Sequence, residues 1–437
     1  MERGISVLGV FVMLGLAWAM SNNRKTINLR LVAGGLALQL AFALLILKTT
    51  LGHNLFRWLG DLFRSMQGFT DAGTGLLFGI NQADAPPDQM LLRTFAFGVL
   101  PTIIFFSALM SVLYHLGLIQ VVVRGMAWLM QKTLGTSGAE TLSAAANVFV
   151  GQTEAPLVIK PYLAKMTDSE LMSLMVGGFA TIAGGVLAVY VSMGIDAGHL
   201  LTASVISAPA ALVIAKILMP ETGTPETAGG QIPEIPKTAG NLVEAATQGT
   251  TDGLKLALNV GAMLIAFTAL VALLDALVGW TGTMFGQDTW SLSLLFGYLF
   301  APIAFCMGIP VEDTIHAGQL LGMKMATNEF LAYDQMQKWV KDPGSTVELS
   351  MRSQIILTYA LAGFANVASI GIQIGGIGAL VPERRSDLAR IGVKAMLGGT
   401  LACFMTACIA GALISADEIE AAAKETPNAA AREQASE

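Results

Sequence analysis

Charge is scarce in this sequence. Only 13% of its 437 residues are Asp, Glu, Lys or Arg, against roughly 25% in an ordinary soluble domain, too few to clothe a water-facing surface of that size. Cysteine is scarcer still. Cys306, Cys403 and Cys408 all lie in apolar runs and read as small buried hydrophobes, which excludes a disulfide framework and a Cys-based metal site. The four histidines are scattered, and neither an activated nucleophile nor a phosphate-cradling loop accompanies the acids, so an enzyme is not expected. A basic excess is missing too. The net charge is −6, and residues 416–437 supply six acids (Asp417, Glu418, Glu420, Glu425, Glu433, Glu437) against Lys424 and Arg432. The remainder is close to balance and points away from nucleic acid. No targeting peptide with a small-residue cleavage site is evident, so the first apolar run is expected to stay as structure.

What is abundant is apolar: 54% of residues are hydrophobic and the mean hydropathy is +0.63. Glycine, at 47 residues, suits helices that approach closely in lipid. The expected class is an all-α polytopic membrane protein with about eight transmembrane helices and two re-entrant helical hairpins.

The stretch Asn147-Val-Phe-Val-Gly-Gln-Thr-Glu-Ala-Pro-Leu-Val-Ile-Lys-Pro161 does not read as a plain span. Gln152, Thr153 and Glu154 are consecutive, so no single helix face hides all three from lipid, and Gly151 and Pro156 favour a reversal there. A non-helical tip at membrane depth is tolerated only inside protein or against a wet cavity, and an ionisable Glu154 at such a tip marks a functional site. A cytoplasmic loop between two short helices is the alternative.

Along the chain, residues 1–50 hold two apolar runs near the roughly 20 residues that a bilayer-spanning helix needs, with Arg24, Lys25 and Arg30 around their junction. An amphipathic helix is expected at 51–66, with Leu51, Leu55, Trp58, Leu59, Leu62, Phe63 and Met66 on one side, lying in the interface. A mixed surface segment at 67–90 leads to a third span at 93–118 and a short surface helix at 121–134. The segment 136–219 reads as hairpin, interrupted span and plain span, the interruption falling at Gly177-Gly178-Phe-Ala-Thr181-Ile182-Ala-Gly184-Gly185. Residues 220–240, with four prolines and four glycines, form a flexible loop. A long helix is expected at 241–281. The segment 290–414 repeats the hairpin, interrupted span and plain span, with breaks near Gly308-Ile-Pro310 and at Asn366. Residues 415–437 form an acidic, disordered tail.

The basic clusters Arg24/Lys25/Arg30, Arg124/Lys132 and Arg384/Arg385/Arg390 fall on one side if both hairpins return to the face they left. That side is cytoplasmic by the positive-inside tendency, which puts both termini outside. The helix at 241–281 crosses once, so the two units are inverted copies. Such repeats with broken helices meeting near the midplane are the recurring architecture of secondary transporters. Gln152/Thr153/Glu154, Thr181/Ile182, Asn328/Glu329 and Asn366/Ser369 would converge there, a donor and acceptor set suited to a neutral, hydrogen-bonding solute.

The motifs Ala146-Asn-Val-Phe-Val-Gly-Gln-Thr-Glu-Ala-Pro156, Asn328-Glu-Phe-Leu-Ala-Tyr333 and Gly363-Phe-Ala-Asn-Val-Ala-Ser-Ile-Gly371 resemble those of concentrative nucleoside transporters of the bacterial, sodium-coupled type, and the resemblance runs from about residue 5 to 414. It implies that Gln152, Thr153, Glu154 and Val186 face a nucleobase, that Glu329, Asn366 and Ser369 hold the ribose, and that Phe364 lies close by. It also implies a sodium ion held by Asn147, the Val150 and Ile182 carbonyls and Thr181, where the hydroxyl of the usual serine is kept. Proton-coupled relatives tend to lose the asparagine. A homotrimer in the lipid of a bacterial inner membrane is implied, its inner helices forming a scaffold against which a hairpin-bearing transport domain moves. Asn147 as a mere helix cap, a proton-coupled symporter and, more distantly, a membrane-embedded enzyme or channel stay open. His316 departs from the pattern and has no assigned role.

Overall fold

The computed structural model describes residues 1–78, 95–98, 100–229, 232–233, 239–287, 290–342, 344–415 and 418–420. Most of the expected acidic tail, the end of the mixed segment at 67–90, the start of the span at 93–118 and parts of the loop at 220–240 lie outside them.

Helices α1 (Glu2–Ala19) and α2 (Leu29–Lys48) are joined by a 3-10 turn at Arg24–Thr26. Asn28 opens α2 by accepting from the Arg30 and Leu31 amides, which satisfies donors that a helix start leaves free. Helix α3 covers Thr50–Phe78, twelve residues past the expected end at Met66. Its glycines weaken a helix by only about 1 kcal/mol each, and the Thr74 hydroxyl donates back to the Thr70 carbonyl, both residues being buried. Leu51, Leu55 and Trp58 are exposed on it. After the short α4 (Phe95–Gly98), α5 (Leu100–His115) and α6 (Leu118–Leu134) are bent by 73° about their junction.

The first hairpin pairs α7 (Gly138–Ala146) with an arm that differs from expectation. Only Ala155–Val158 (α8) is α-helical, and a 3-10 turn follows at Lys160–Lys165. Pro161 has no N–H to continue the α ladder. Then come α9 (Asp168–Ala180), the break at Thr181–Ala183, α10 (Gly184–Ser192) and α11 (Ala197–Leu218). Capping boxes open α7 and α9, and the Ser137 hydroxyl of one donates to Glu170 of the other over 2.5 Å. Lys216 on α11 reaches in to Glu140 at 2.7 Å, both buried.

Helix α12 (Leu242–Met284) runs 43 residues, and within this chain it buries only a stripe of small residues, Ala245, Gly249, Gly253 and Ala257, together with Gly282 near its end. It packs along α5. The second half holds α13 (Leu292–Cys306), α14 (Thr314–Ala326), α15 (Glu329–Lys341), α16 (Met351–Leu361), α17 (Val367–Leu380) and α18 (Arg385–Leu413). A break does fall at Gly308-Ile-Pro310, between α13 and α14, where Gly308 and Ile309 are buried, but the turn beside Glu329 is a second one. It is at Thr327–Asn328, where α14 turns into α15. Asn328 makes that turn by capping α15, its Oδ1 accepting from the Leu331 amide.

Among the described residues six helices are long and apolar enough to cross a membrane, or seven if α5 and α6 form one bent span, with α13 and α17 shorter. The core lies around the two breaks. Every residue of α9 after Asp168 is buried, and α10, α11 and most of α18 are nearly so.

Candidate functional site

The two interrupted helices touch at their gaps. Past α16 the chain turns at Gly363, whose φ of 157° suits glycine. A Cβ there would stand 2.8 Å from the Phe179 carbonyl oxygen and 2.6 Å from Cys403 Sγ. A break exposes the last carbonyls of a helix, the negative end of its dipole. Here the Cys403 thiol lies 3.2 Å from the Ala362 oxygen and 3.6 Å from that of Ala180. The fully buried Lys324 ammonium donates to the Ala360 oxygen over 2.8 Å.

The tip of the first hairpin lies against this crossing. Asn147 ends α7, and its Nδ2 donates to the Ser143 carbonyl over 3.1 Å. Its Oδ1 is buried with no hydrogen-bond donor. Thr181, at the end of α9, turns its hydroxyl proton to the Gly177 carbonyl over 3.0 Å, which leaves its oxygen lone pairs free to accept. Gly177 also faces Asn147, so both side chains border one turn of α9. Ile182 is wholly buried, Val150 half-buried, and the Phe149 carbonyl accepts from the Gly184 amide over 3.1 Å. An orphaned amide oxygen beside a hydroxyl and unwound backbone is a hard-oxygen donor set of the kind a sodium ion takes.

At the same tip Gln152 is buried, and its Oε1 accepts from Gln373 Nε2 of α17 over 3.0 Å. Thr153 is half-buried against Gly376. Glu154 is exposed, and its Oε2 lies back over Gly151. With both neighbours turned inward, the third consecutive polar residue is left on the open side. Val186 lies in the first turn of α10 and is buried.

The second tip contributes Glu329, 4% exposed. Its Oε1 accepts from the Tyr190 hydroxyl over 2.6 Å and its Oε2 from Asn366 Nδ2 over 3.1 Å. Asn366 also caps α17, its Oδ1 accepting from the Ser369 amide over 2.9 Å. Ser369 and Gln373 are one turn apart and both buried on α17, so this half-helix joins the Gln152 group to the Glu329 group. Phe364 is half-buried in the gap before it. His316 stands apart, edge-on to Trp339 with ring centroids 5.7 Å apart.

Sequence reading passed over three residues. Gln373 is a lone amide in Ile-Gly-Ile-Gln-Ile-Gly-Gly and Lys324 a lone cation in Gly-Met-Lys-Met-Ala. Either could have been noticed by the rule that polar groups inside spans are seldom idle. Tyr190 carries no such signal among apolar neighbours.

Three family descriptions match the chain: Na+ dependent nucleoside transporter N-terminus over residues 8–81, Nucleoside recognition over 96–197, and Na+ dependent nucleoside transporter C-terminus over 199–411. Solute carrier family 28 member 3 of Eptatretus stoutii is 44% identical over 419 residues, covering 94% of this chain and 60% of that protein. An uncharacterized transporter of Haemophilus influenzae is 45% identical over 416 residues, covering 94% and 97%. Among solved structures, CNTnw in an inward-facing substrate-bound state superposes with a TM-score of 0.88 at 40% identity, covering 94% of this chain and 98% of that one. The chain thus spans 60% of the length of the Eptatretus relative and nearly all of the Haemophilus one. With the crossed breaks and two polar hairpin tips described above, these matches establish that the chain belongs to the sodium-dependent nucleoside transporter family, a family of membrane carriers and not of enzymes.

Proposed function

We propose that this protein is a secondary active symporter that takes up uridine-like nucleosides on the sodium gradient. The observation that carries the reading is the meeting of both hairpin tips on α17, which gathers a carboxylate, amides and hydroxyls within one buried layer. In this reading Gln152, Thr153, Glu154 and Val186 face the base, and Glu329, Asn366 and Ser369 hold the ribose with Phe364 alongside. Sodium, when bound, supplies the positive charge that couples uptake to the membrane potential. Asn147 Oδ1, the Thr181 hydroxyl and the carbonyls of Val150 and Ile182 would hold it. The orphaned Asn147 oxygen favours sodium over a proton, because it needs a cation or a donor and has no ionisable group of its own.

Residues 136–219 and 290–414 form the moving unit of this proposal, and α1, α2, α5 and α12 the scaffold. The sparse burial of α12 within one chain supports a homotrimer, with lipid on the remaining faces. The basic clusters support an orientation with the termini outside, in what the proposal takes to be a bacterial inner membrane.

The test is uptake by proteoliposomes. One charge moving through 100 mV gains about 2.3 kcal/mol, which at roughly 1.4 kcal/mol per decade supports about fiftyfold accumulation of uridine. Uptake undiminished when choline replaces sodium, and governed instead by external pH, would overturn the sodium assignment.

A further inference from the structure

Gln373 makes two hydrogen bonds through one atom, and together they fix the polarity of Gln152. Its Nε2 donates to the Met175 main-chain carbonyl over 3.1 Å and to Gln152 Oε1 over 3.0 Å. A peptide carbonyl only accepts, so the Gln373 amide must present its NH2 to Met175. Turning it over would set Gln373 Oε1, which is buried without a donor, against a second acceptor. Both protons of the NH2 are then committed, and Gln152 must meet the second with its oxygen. The NH2 of Gln152 is the end left for a solute. Packing holds this arrangement: Gln373 is fully buried, and a side chain at Gly178 would meet its Nε2 at 2.7 Å and Gln152 Cβ at 2.9 Å.

The position of Gln373 in the repeat makes the same point. It lies seven residues beyond Asn366, the N-cap of α17, and Tyr190 lies seven residues beyond Ala183, the N-cap of α10. Both are fully buried, and each donates across to the hairpin tip of the other repeat, Gln373 to Gln152 and Tyr190 to Glu329. The two half-helices use one register for one task. On the Tyr190 side the tip residue is a carboxylate, which accepts at either oxygen. On the Gln373 side it is an amide, for which orientation decides whether it accepts or donates.

We propose that Gln373 is the positioning residue for base recognition. By holding Gln152 oxygen-inward it makes this tip a hydrogen-bond donor, so the protein selects bases that offer an acceptor there, a carbonyl oxygen or an unprotonated ring nitrogen. The proposal rests on the nucleoside-transport reading and narrows it, since a free glutamine could serve either polarity.

The experiment is a cycle between protein and solute on purified protein in liposomes. Competition against labelled uridine is measured for uridine, its 4-thio and 2-thio analogues, each weakened at one acceptor with the N3–H donor kept, and 2′- and 3′-deoxyuridine. In the parent, one of the two acceptor-weakened analogues should bind about tenfold more weakly than uridine, what one well-made hydrogen bond supports. In Gln373→Met, of similar volume and without hydrogen-bonding groups, that penalty should fall below about threefold as Gln152 becomes free to turn, while the deoxyribose penalties stay at parental values. A general structural defect would move both sets together and would overturn the assignment. So would an acceptor penalty that persists in Gln373→Met or is absent from the parent. Gln373→Asn, which keeps the amide but falls one methylene short, should give the same result and serves if the methionine variant does not fold. Failure of the parent to take up any nucleoside would instead overturn the transport reading.

Discussion

The Tyr190 hydroxyl donates to Glu329 over 2.6 Å across 139 residues of sequence, tying the second half of one interrupted helix to the opposite hairpin tip. Glu329 is buried and has no cation within ion-pairing distance among the described residues, so its two donors, Tyr190 and Asn366, carry its satisfaction.

Tyr190→Phe keeps the ring packing against Tyr333, whose centroid lies 4.9 Å away, and removes the donor. A hydrogen bond to a charged group is typically worth about 1.5–3 kcal/mol, so the variant should lose about that much stability in a denaturation series in detergent. Adding Glu329→Gln should return part of the loss, because the two changes share one interaction. Strict additivity would show that the pair is not coupled.

Glu329→Gln by itself should weaken nucleoside binding by roughly ten- to over a hundredfold, the loss of the proposed charged acceptor to a ribose hydroxyl. The loss should be alike for uridine and cytidine, and 2′- or 3′-deoxy analogues should be discriminated less than by the parent. Calorimetry on the ribo and deoxy pairs checks both statements. A loss confined to one base would place Glu329 on the base.

Asn147→Ala removes the orphaned amide oxygen and leaves the hairpin's hydrogen bond from Asn147 N to Ser143 O intact. The sodium concentration for half-maximal uptake should rise at least about tenfold, the value of one lost ion contact at roughly 1.4 kcal/mol per decade. Nucleoside affinity at saturating sodium should stay near that of the parent. Coincident sodium titration curves would leave Asn147 as a helix cap.

Lys216→Met strands Glu140, since the pair sits at 6% and 1% exposure with Nζ and Oε2 2.7 Å apart. Removing one partner of a buried pair costs about 3–5 kcal/mol, so the variant should unfold markedly earlier on heating. Lys216→Met with Glu140→Gln should recover much of that loss. No recovery would mean that the lysine acts mainly through Ser169 Oγ, which it also reaches, at 2.9 Å.

Much of the fold was legible because breaks are written locally. The doubled glycines around Thr181 and the Asn366 cap inside an apolar run mark interruptions that the structure contains. The expected break at Gly308-Ile-Pro310 is present, and the further turn beside Glu329 was not foreseen because Gly308 and Pro310 are the louder punctuation. That turn is made by Asn328, whose capping role depends on a single side-chain bond. The extension of α3 was missed for the complementary reason, since glycines there read as breakers but buried threonines carry the helix on. Tyr190 and Gln373 could not be found locally at all: their partners lie 139 and 221 residues away, joined only when the repeats interleave.

Both Glu329 oxygens are engaged by donors of the protein itself, the Tyr190 hydroxyl and Asn366 Nδ2. In the proposed reading a solute that reaches these oxygens exchanges one donor for another and does not quench bare acceptors, so each bond contributes a difference and not its full strength. A receptor would be poorly served by such an arrangement. A carrier is well served, because cargo held by small differences leaves readily on the far side. In the same reading the return stroke carries no unsolvated carboxylate through the core, since Tyr190 and Asn366 satisfy Glu329 from within the protein.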